Sequence, residues 1–271
     1  MVHLWKVVEP FPRQRPGVTI LAFSGAELTG AAWTRTFVTQ IEYVAARARI
    51  ITLDEAVRGL SREDHAVDNT VVITFDDGFG DDGCGDDGAA GFTDVVLPVL
   101  DRLHVPATVY LAPAFVEEQR PLPSGIAPMT WSAVGEAMAS GLVTVGSSTY
   151  TRRPLDRADA AEASAEIRGS IDLIAARTGR VPAHFAYPDA VAGSVAARQI
   201  VQQLFHSAVA GRGRTNPLGG TDLHLLVRPP VTPRTTAGEL DSLIRAVRTR
   251  RGSTGRWRSA AWPGTLHAPR R

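Results

Sequence analysis

The feature that most restricts the fold is an alternation, repeated along most of the chain, of short β-branched apolar runs with longer helical patterns. GVTILAF (17–23), VVITF (71–75), ATVYLA (107–112), LVTVG (142–146), HFAY (184–187) and HSAVA (206–210) read as strands, and LHLLV (223–227) as a further one. Residues 33–47, 53–60, 94–103, 131–140, 159–178, 194–204 and 236–248 carry the helical period. Thr52 or Asp54 can cap the second of these helices, and Gly179 followed by Pro182 closes the longest. Strands that alternate with helices give βα units and a mainly parallel sheet. A chain of 271 residues suits a single α/β barrel with a full hydrophobic core.

Composition removes several classes of function. Apolar residues make up 44 % and charged residues 21 %, as in an ordinary globular protein. A net charge of +1 provides no field for nucleic acid, and no apolar run approaches the roughly 20 residues of a membrane helix. The single cysteine, Cys84, excludes an internal disulfide framework. The first residues, MVHLWKVVEPFPRQRPG, lack the apolar core of a signal peptide, so a cytoplasmic location is expected. Residues 1–249 are expected to form the barrel domain. Residues 250–271, rich in Arg, Gly and Ser, read either as a solvated tail or as a docking segment for a protein partner through Trp257 and Trp262.

Chemistry in barrel-like α/β folds sits at the C-terminal ends of the parallel strands. Asp76 and Asp77 stand directly after VVITF and before Gly78. Two adjacent carboxylates repel, so one pKa should rise while the other stays low, which suits proton transfer beside a bound cation. The plainer alternative is an Asp-Gly turn.

VVITFDDG resembles the first motif of the polysaccharide deacetylases, the NodB-homology carbohydrate esterases. The likeness continues through LPVLDRLHVPATVYLAPAFV (97–116), GLVTVGS (141–147) and TGRVPAHFAYP (178–188), covering roughly residues 17–231. It implies a distorted (β/α) barrel, with Asp76 as general base and Asp77 as metal ligand. The family's second motif, His-Thr-x-x-His, supplies two further ligands, but its histidine positions are Ser148 and Arg152 here. A serine hydroxyl is a poor zinc ligand, and a guanidinium cannot ligate. No metal and no cofactor are therefore expected.

Other departures point the same way. The family's Pro-Tyr-Gly-like turn, whose backbone N–H helps hold an oxyanion, reads Tyr187-Pro188-Asp189-Ala190, which sets a carboxylate where negative charge would develop. Phe23-Ser24 replaces the early Tyr-His, and the late Leu-x-His motif has no counterpart. His65, His104, His184, His206 and His224 have no spacing that rebuilds a metal site. The expected substrate-binding residues are Arg152, Ser148, Tyr187, Asp189 and Arg228, around the catalytic Asp76 and Asp77.

Residues 76–88 read DDGFG, DDGCG, DDG, a five-residue repeat. It is either a loop left by duplication or a lid or cation site built from Asp81, Asp82, Asp86 and Asp87. Excision of residues 79–88 is expected to leave the fold intact. Three functions stay open. The first is metal-independent acid–base chemistry, by elimination or cyclisation, on a small anionic metabolite in specialised biosynthesis, with Arg152 in place of the metal's charge. The second is a metal-dependent N- or O-deacetylase of a sugar that draws ligands from the acidic repeat. The third is a non-catalytic subunit that binds a partner.

Overall fold

A computed structural model describes residues 17–24, 31–80 and 91–245. The tail at 250–271 and most of the acidic repeat lie outside the described residues. Six strands run parallel in one curled sheet: β1 (Gly17–Ser24), β3 (Thr70–Asp76), β4 (Ala107–Leu111), β5 (Val143–Ser147), β6 (His184–Ala186) and β7 (Ser207–Val209). Their order is β7-β6-β5-β4-β3-β1. Two-residue strands complete the sheet: β2 (Arg49–Ile50) beside β3, and β8 (Asn216–Pro217) and β9 (Pro230–Val231) beside β1.

The sheet curls because one short segment reaches both of its edges. Ala210 N–H donates to Leu226 O, and Leu226 N–H to Ala208 O, beside β7. Three residues further on, Ala22 N–H donates to Pro229 O beside β1. LHLLV therefore forms a bridge at Leu226 and not a full strand. This is the distorted (β/α) barrel that the sequence implied.

Alternation along the strands sorts residues into two layers. Val71, Ile73 and Phe75 of β3 point outward, with Leu21 and Phe23 of β1 and Val109 and Leu111 of β4. They pack beneath the helices α1 (Ala31–Ala45), α3 (Leu97–Leu103) and α5 (Trp131–Ala139). A cluster of five phenylalanines, Phe23, Phe37, Phe75, Phe79 and Phe92, anchors this layer with ring centroids 5.4–6.3 Å apart. Val18, Ile20, Val72 and Tyr110 point the other way, into the barrel. The helix α2 (Leu53–Arg62), capped by the Thr52 hydroxyl on Glu55 N–H, fills the N-terminal end of that interior. Two further helices, α6 (Ala160–Thr178) and α7 (Val195–Leu204), cover β6 and β7 through Phe185, Tyr187 and Ala208. A capping box between Asp159 and Glu162 opens α6, and Gly179 at φ 70° closes it.

Some local readings change. The chain before α3 takes one π-helical turn over Phe92–Val96, and a short helix α4 (Pro113–Glu118), too brief for a helical period to show, follows β4. The final helix is described as α8 (Ala237–Arg245). No helix among the described residues is long and apolar enough to cross a membrane.

Candidate active site

The parity that buries Val72 inside the barrel also points Thr74 and Asp76 inward, two and four residues later. Strand register sets Ser24 level with Asp76, and Leu111 level with Ser147. The strand ends thus meet at one mouth. Asp77, next along the chain, would face the helices if the strand continued. Its φ of 69° breaks the alternation and turns its carboxylate back to the same mouth.

The mouth is a cleft of about 230 Å³. All seven residues singled out from sequence line it: Asp76, Asp77, Ser148, Arg152, Tyr187, Asp189 and Arg228. Two ion-pair systems organise it. Arg228, 6 % exposed, places Nη2 2.7 Å from Asp76 Oδ1 and donates from Nη1 to Thr74 Oγ1 at 3.1 Å. Its guanidinium lies 5.3 Å from the ring of Tyr110, deeper in the barrel. Arg152 donates from Nε to Asp77 Oδ1 at 2.5 Å, and its Nη1 lies 3.1 Å from Asp189 Oδ1. Arg152 thus ties the strand β3 to two loops, one after β5 and one after β6.

Burial sets the charge states. Asp77 is 7 % exposed. Burial first, and then the charge of Asp76, push its carboxyl above the usual range, against the pull of Arg152 and Arg228. Arg152 would be lowered by its own burial, but Asp77 and Asp189 hold it above its ordinary value. Burial pushes the Tyr187 phenol up to about 12, against Arg198 and with the charge of Asp222. That hydroxyl is buried without a hydrogen-bond partner among the described residues, and Tyr187 forms part of the cleft wall.

The backbone here is strained. Asp77, Thr149, Arg152, Asp189 and Ala190 all take left-handed φ, between 55° and 69°. Each costs on the order of 1–2 kcal/mol for a residue with a side chain, and such residues gather at functional sites. Neighbouring contacts hold them. Thr151 donates from N–H and Oγ1 to the two carboxylate oxygens of Glu166 on α6, at 2.9 and 2.7 Å, which fixes the loop carrying Arg152. Gly78, which follows Asp77, takes a left-handed φ of 54°, and a Cβ there would lie 2.2 Å from Leu111 Cδ2, so a larger residue would be strained and would push that leucine aside.

The donor set does not fit the metal that the family implies. Around Asp77 stand a serine hydroxyl and a guanidinium whose Nε occupies one carboxylate oxygen at hydrogen-bonding distance. A catalytic zinc wants three protein ligands, and an arginine repels the cation it would have to bind beside. Among the described residues, no group of three or more His, Cys, Asp or Glu is placed to hold a metal ion. The histidines have other duties. His184 bonds Ser207 at 2.9 Å and lies 3.3 Å from Asp54 at the opposite end of the barrel, His224 bonds Phe205 O, and His104 caps α3.

Sequence reasoning missed two features. Asp189 does not stand as a bare carboxylate in the turn, because Arg152 pairs with it. Arg212 also lines the cleft, from the loop after β7. Its signal was its place just beyond a strand's C-terminal end, between Gly211 and Gly213.

A curled parallel sheet with paired carboxylates at its C-terminal mouth defines an α/β-barrel protein with its candidate site at the strand ends. The family model for polysaccharide deacetylases matches residues 63–209, just over half of the chain, and the chain belongs to that family. Its fold is similar to that of IcaB from Ammonifex degensii, with a TM-score of 0.69, 22 % identity, and coverage of 86 % of this chain and 98 % of that one. It is also similar to the deacetylase PplD from Streptococcus pyogenes, solved with acetate, with a TM-score of 0.69, 18 % identity and coverage of 85 % and 98 %. A de-N-acetylase from Aggregatibacter actinomycetemcomitans aligns with a TM-score of 0.64, 16 % identity and coverage of 84 % and 98 %. No curated protein matches the chain.

Proposed function

We propose that this chain is a metal-independent acid–base enzyme that acts on a small anionic metabolite, with Asp76 as the base. The observation that carries the reading is the guanidinium of Arg152 set 2.5 Å from Asp77, beside an Asp76 that still reaches the cleft. Arg152 supplies the positive charge and N–H donors of a metal's place, but no open coordination position to activate water. Proton transfer with stabilisation of developing negative charge is the chemistry such a site retains. Asp76 meets Arg228 through Oδ1, yet its side chain is 27 % exposed and lines the cleft, so its carboxylate can reach a substrate as the base. It would take that proton from a carbon beside an electron-withdrawing group. The electron pair then passes into that group and either expels a leaving group from the next carbon, which departs with its bonding pair, or returns through the same carbon to attack an electrophilic centre within the molecule and close a ring, the anion so formed taking back the proton held by Asp76.

The test is incubation in heavy water with a panel of small carboxylate- and phosphate-bearing metabolites and of acetylated sugars. Solvent deuterium incorporation, or release of a leaving group, that Asp76→Asn abolishes in a folded protein is expected. Acetate release from an acetylated sugar, dependent on an added divalent metal and on Asp77, would overturn the reading in favour of a deacetylase. A non-catalytic binding subunit is the second reading, favoured by the pairing of all three cleft carboxylates with arginine. Under it, Asp76→Asn leaves every measured function unchanged.

A further inference from the structure

The cleft presents three arginines to a ligand, and two of them are already engaged. Arg228 is buried and spent on Asp76 and Thr74. Arg152 is spent on Asp77 through Nε and on Asp189 through Nη1. The charge of each is already balanced by a carboxylate at short range, so a substrate anion would have to compete with Asp77 and Asp189 for Arg152 and with Asp76 for Arg228. Arg212 differs, since its exposed side chain makes no ion pair or hydrogen bond among the described residues.

Its position is nevertheless fixed at the backbone. Gly211 N–H donates to Ala190 O at 2.7 Å, which fastens the Arg212 loop to the turn that carries Asp189. Gly211 takes a φ of 83°, a conformation that glycine adopts without strain. At Gly213 a Cβ would sit 2.6 Å from Val227 Cγ2, so the loop lies flat on the segment that leads to Arg228. A fixed backbone with a free guanidinium over a polar cleft is the arrangement of an anion-binding arm.

We infer that Arg212, and not Arg152 or Arg228, holds the anionic group of the ligand, a carboxylate or a phosphate. This rests on the reading that the cleft takes a small anionic molecule. Arg152 and Arg228 then serve to set the two aspartates, and Arg212 sets which molecules enter.

Binding of inorganic phosphate and of malonate, in separate titrations followed by thermal stabilisation, tests it on the full chain. At least one probe should stabilise the parent, and the one that does so more strongly gives the chemistry of the anion. Arg212→Gln should weaken that binding by about tenfold or more, the loss expected for a charge-assisted hydrogen bond. Arg214→Gln removes the same charge two residues away, from a side chain that bonds Ser242, and should leave binding unchanged. Asp76→Asn should also retain the stabilisation. Stabilisation that survives Arg212→Gln overturns the assignment, as does equal loss in Arg214→Gln or no response to either anion. Anion binding that depends on Arg212, with no reaction that depends on Asp76, would leave this site standing and remove the catalytic reading.

Discussion

Arg152→Ala is the perturbation with the most to say about this site. The substitution leaves the Asp77 carboxyl, 7 % exposed, next to Asp76 and without its hydrogen-bonded cation. Removing one partner of a buried ion pair typically costs about 3–5 kcal/mol, because the remaining charge stays desolvated. The contact to Asp189 adds little, since that carboxylate is 55 % exposed and surface pairs contribute roughly 0–1 kcal/mol. A deficit of about 3 kcal/mol at neutral pH follows. The protein can relieve part of it by protonating Asp77, whose pKa burial already raises and which the loss of Arg152 raises further. A carboxyl with a raised folded-state pKa binds its proton more tightly in the folded than in the unfolded chain. Stability therefore falls as pH rises from the unfolded carboxylate value to the folded one, and is flat above. The deficit of Arg152→Ala should shrink toward acid pH and grow toward neutrality. Urea unfolding at several pH values, with an unchanged m-value, measures this. Asp77→Asn in the same background should recover much of the loss, as a double-mutant cycle would record. A deficit under about 1 kcal/mol, or one independent of pH, would refute the argument and return Arg152 to the class of weak surface pairs.

Other outcomes follow from the same contacts. Elemental analysis should find no stoichiometric zinc in the parent, whereas Ser148→His with Arg152→His should gain a transition metal that Asp77→Ala removes; one metal per parent chain would contradict the misfit described above. Phe79→Ala should cost about 3–5 kcal/mol by urea unfolding, because Phe79 is 2 % exposed and packs on Phe75 and Phe92. Gly146→Ala should cost about 1–3 kcal/mol, since the new methyl would lie 2.6 Å from the Tyr110 ring. If its thermal stability matches the parent, Tyr110 is not fixed beneath Arg228 as described.

The excision of residues 79–88 that sequence suggested is corrected by the same observation. Phe79 belongs to the core and Gly80 N–H bonds Ala127 O, so the first copy of the repeat is structural. Repeat and spacing could not show this, because a single phenylalanine among glycines and aspartates carries no periodicity. Asp81, Asp82, Asp86 and Asp87 fall outside the described residues.

By itself, the sequence determined the alternation of strands and helices, the barrel that its motifs imply, and the neighbourhood of the site. Apolar runs of the right length buried between helices have few ways to pack, and residues just past them must meet at one end. It also determined the substitution of histidine by Ser148 and Arg152, since residue chemistry at a motif position can be read directly. Tertiary structure decided who pairs with whom. Asp77 turns inward because its φ is left-handed, Asp189 is neutralised by an arginine from a different loop, and Arg228 reaches Asp76 across 152 residues of chain. Such pairings depend on distances between loops that no local pattern encodes. The same holds for Arg212, whose availability became visible only when the other two arginines were found engaged.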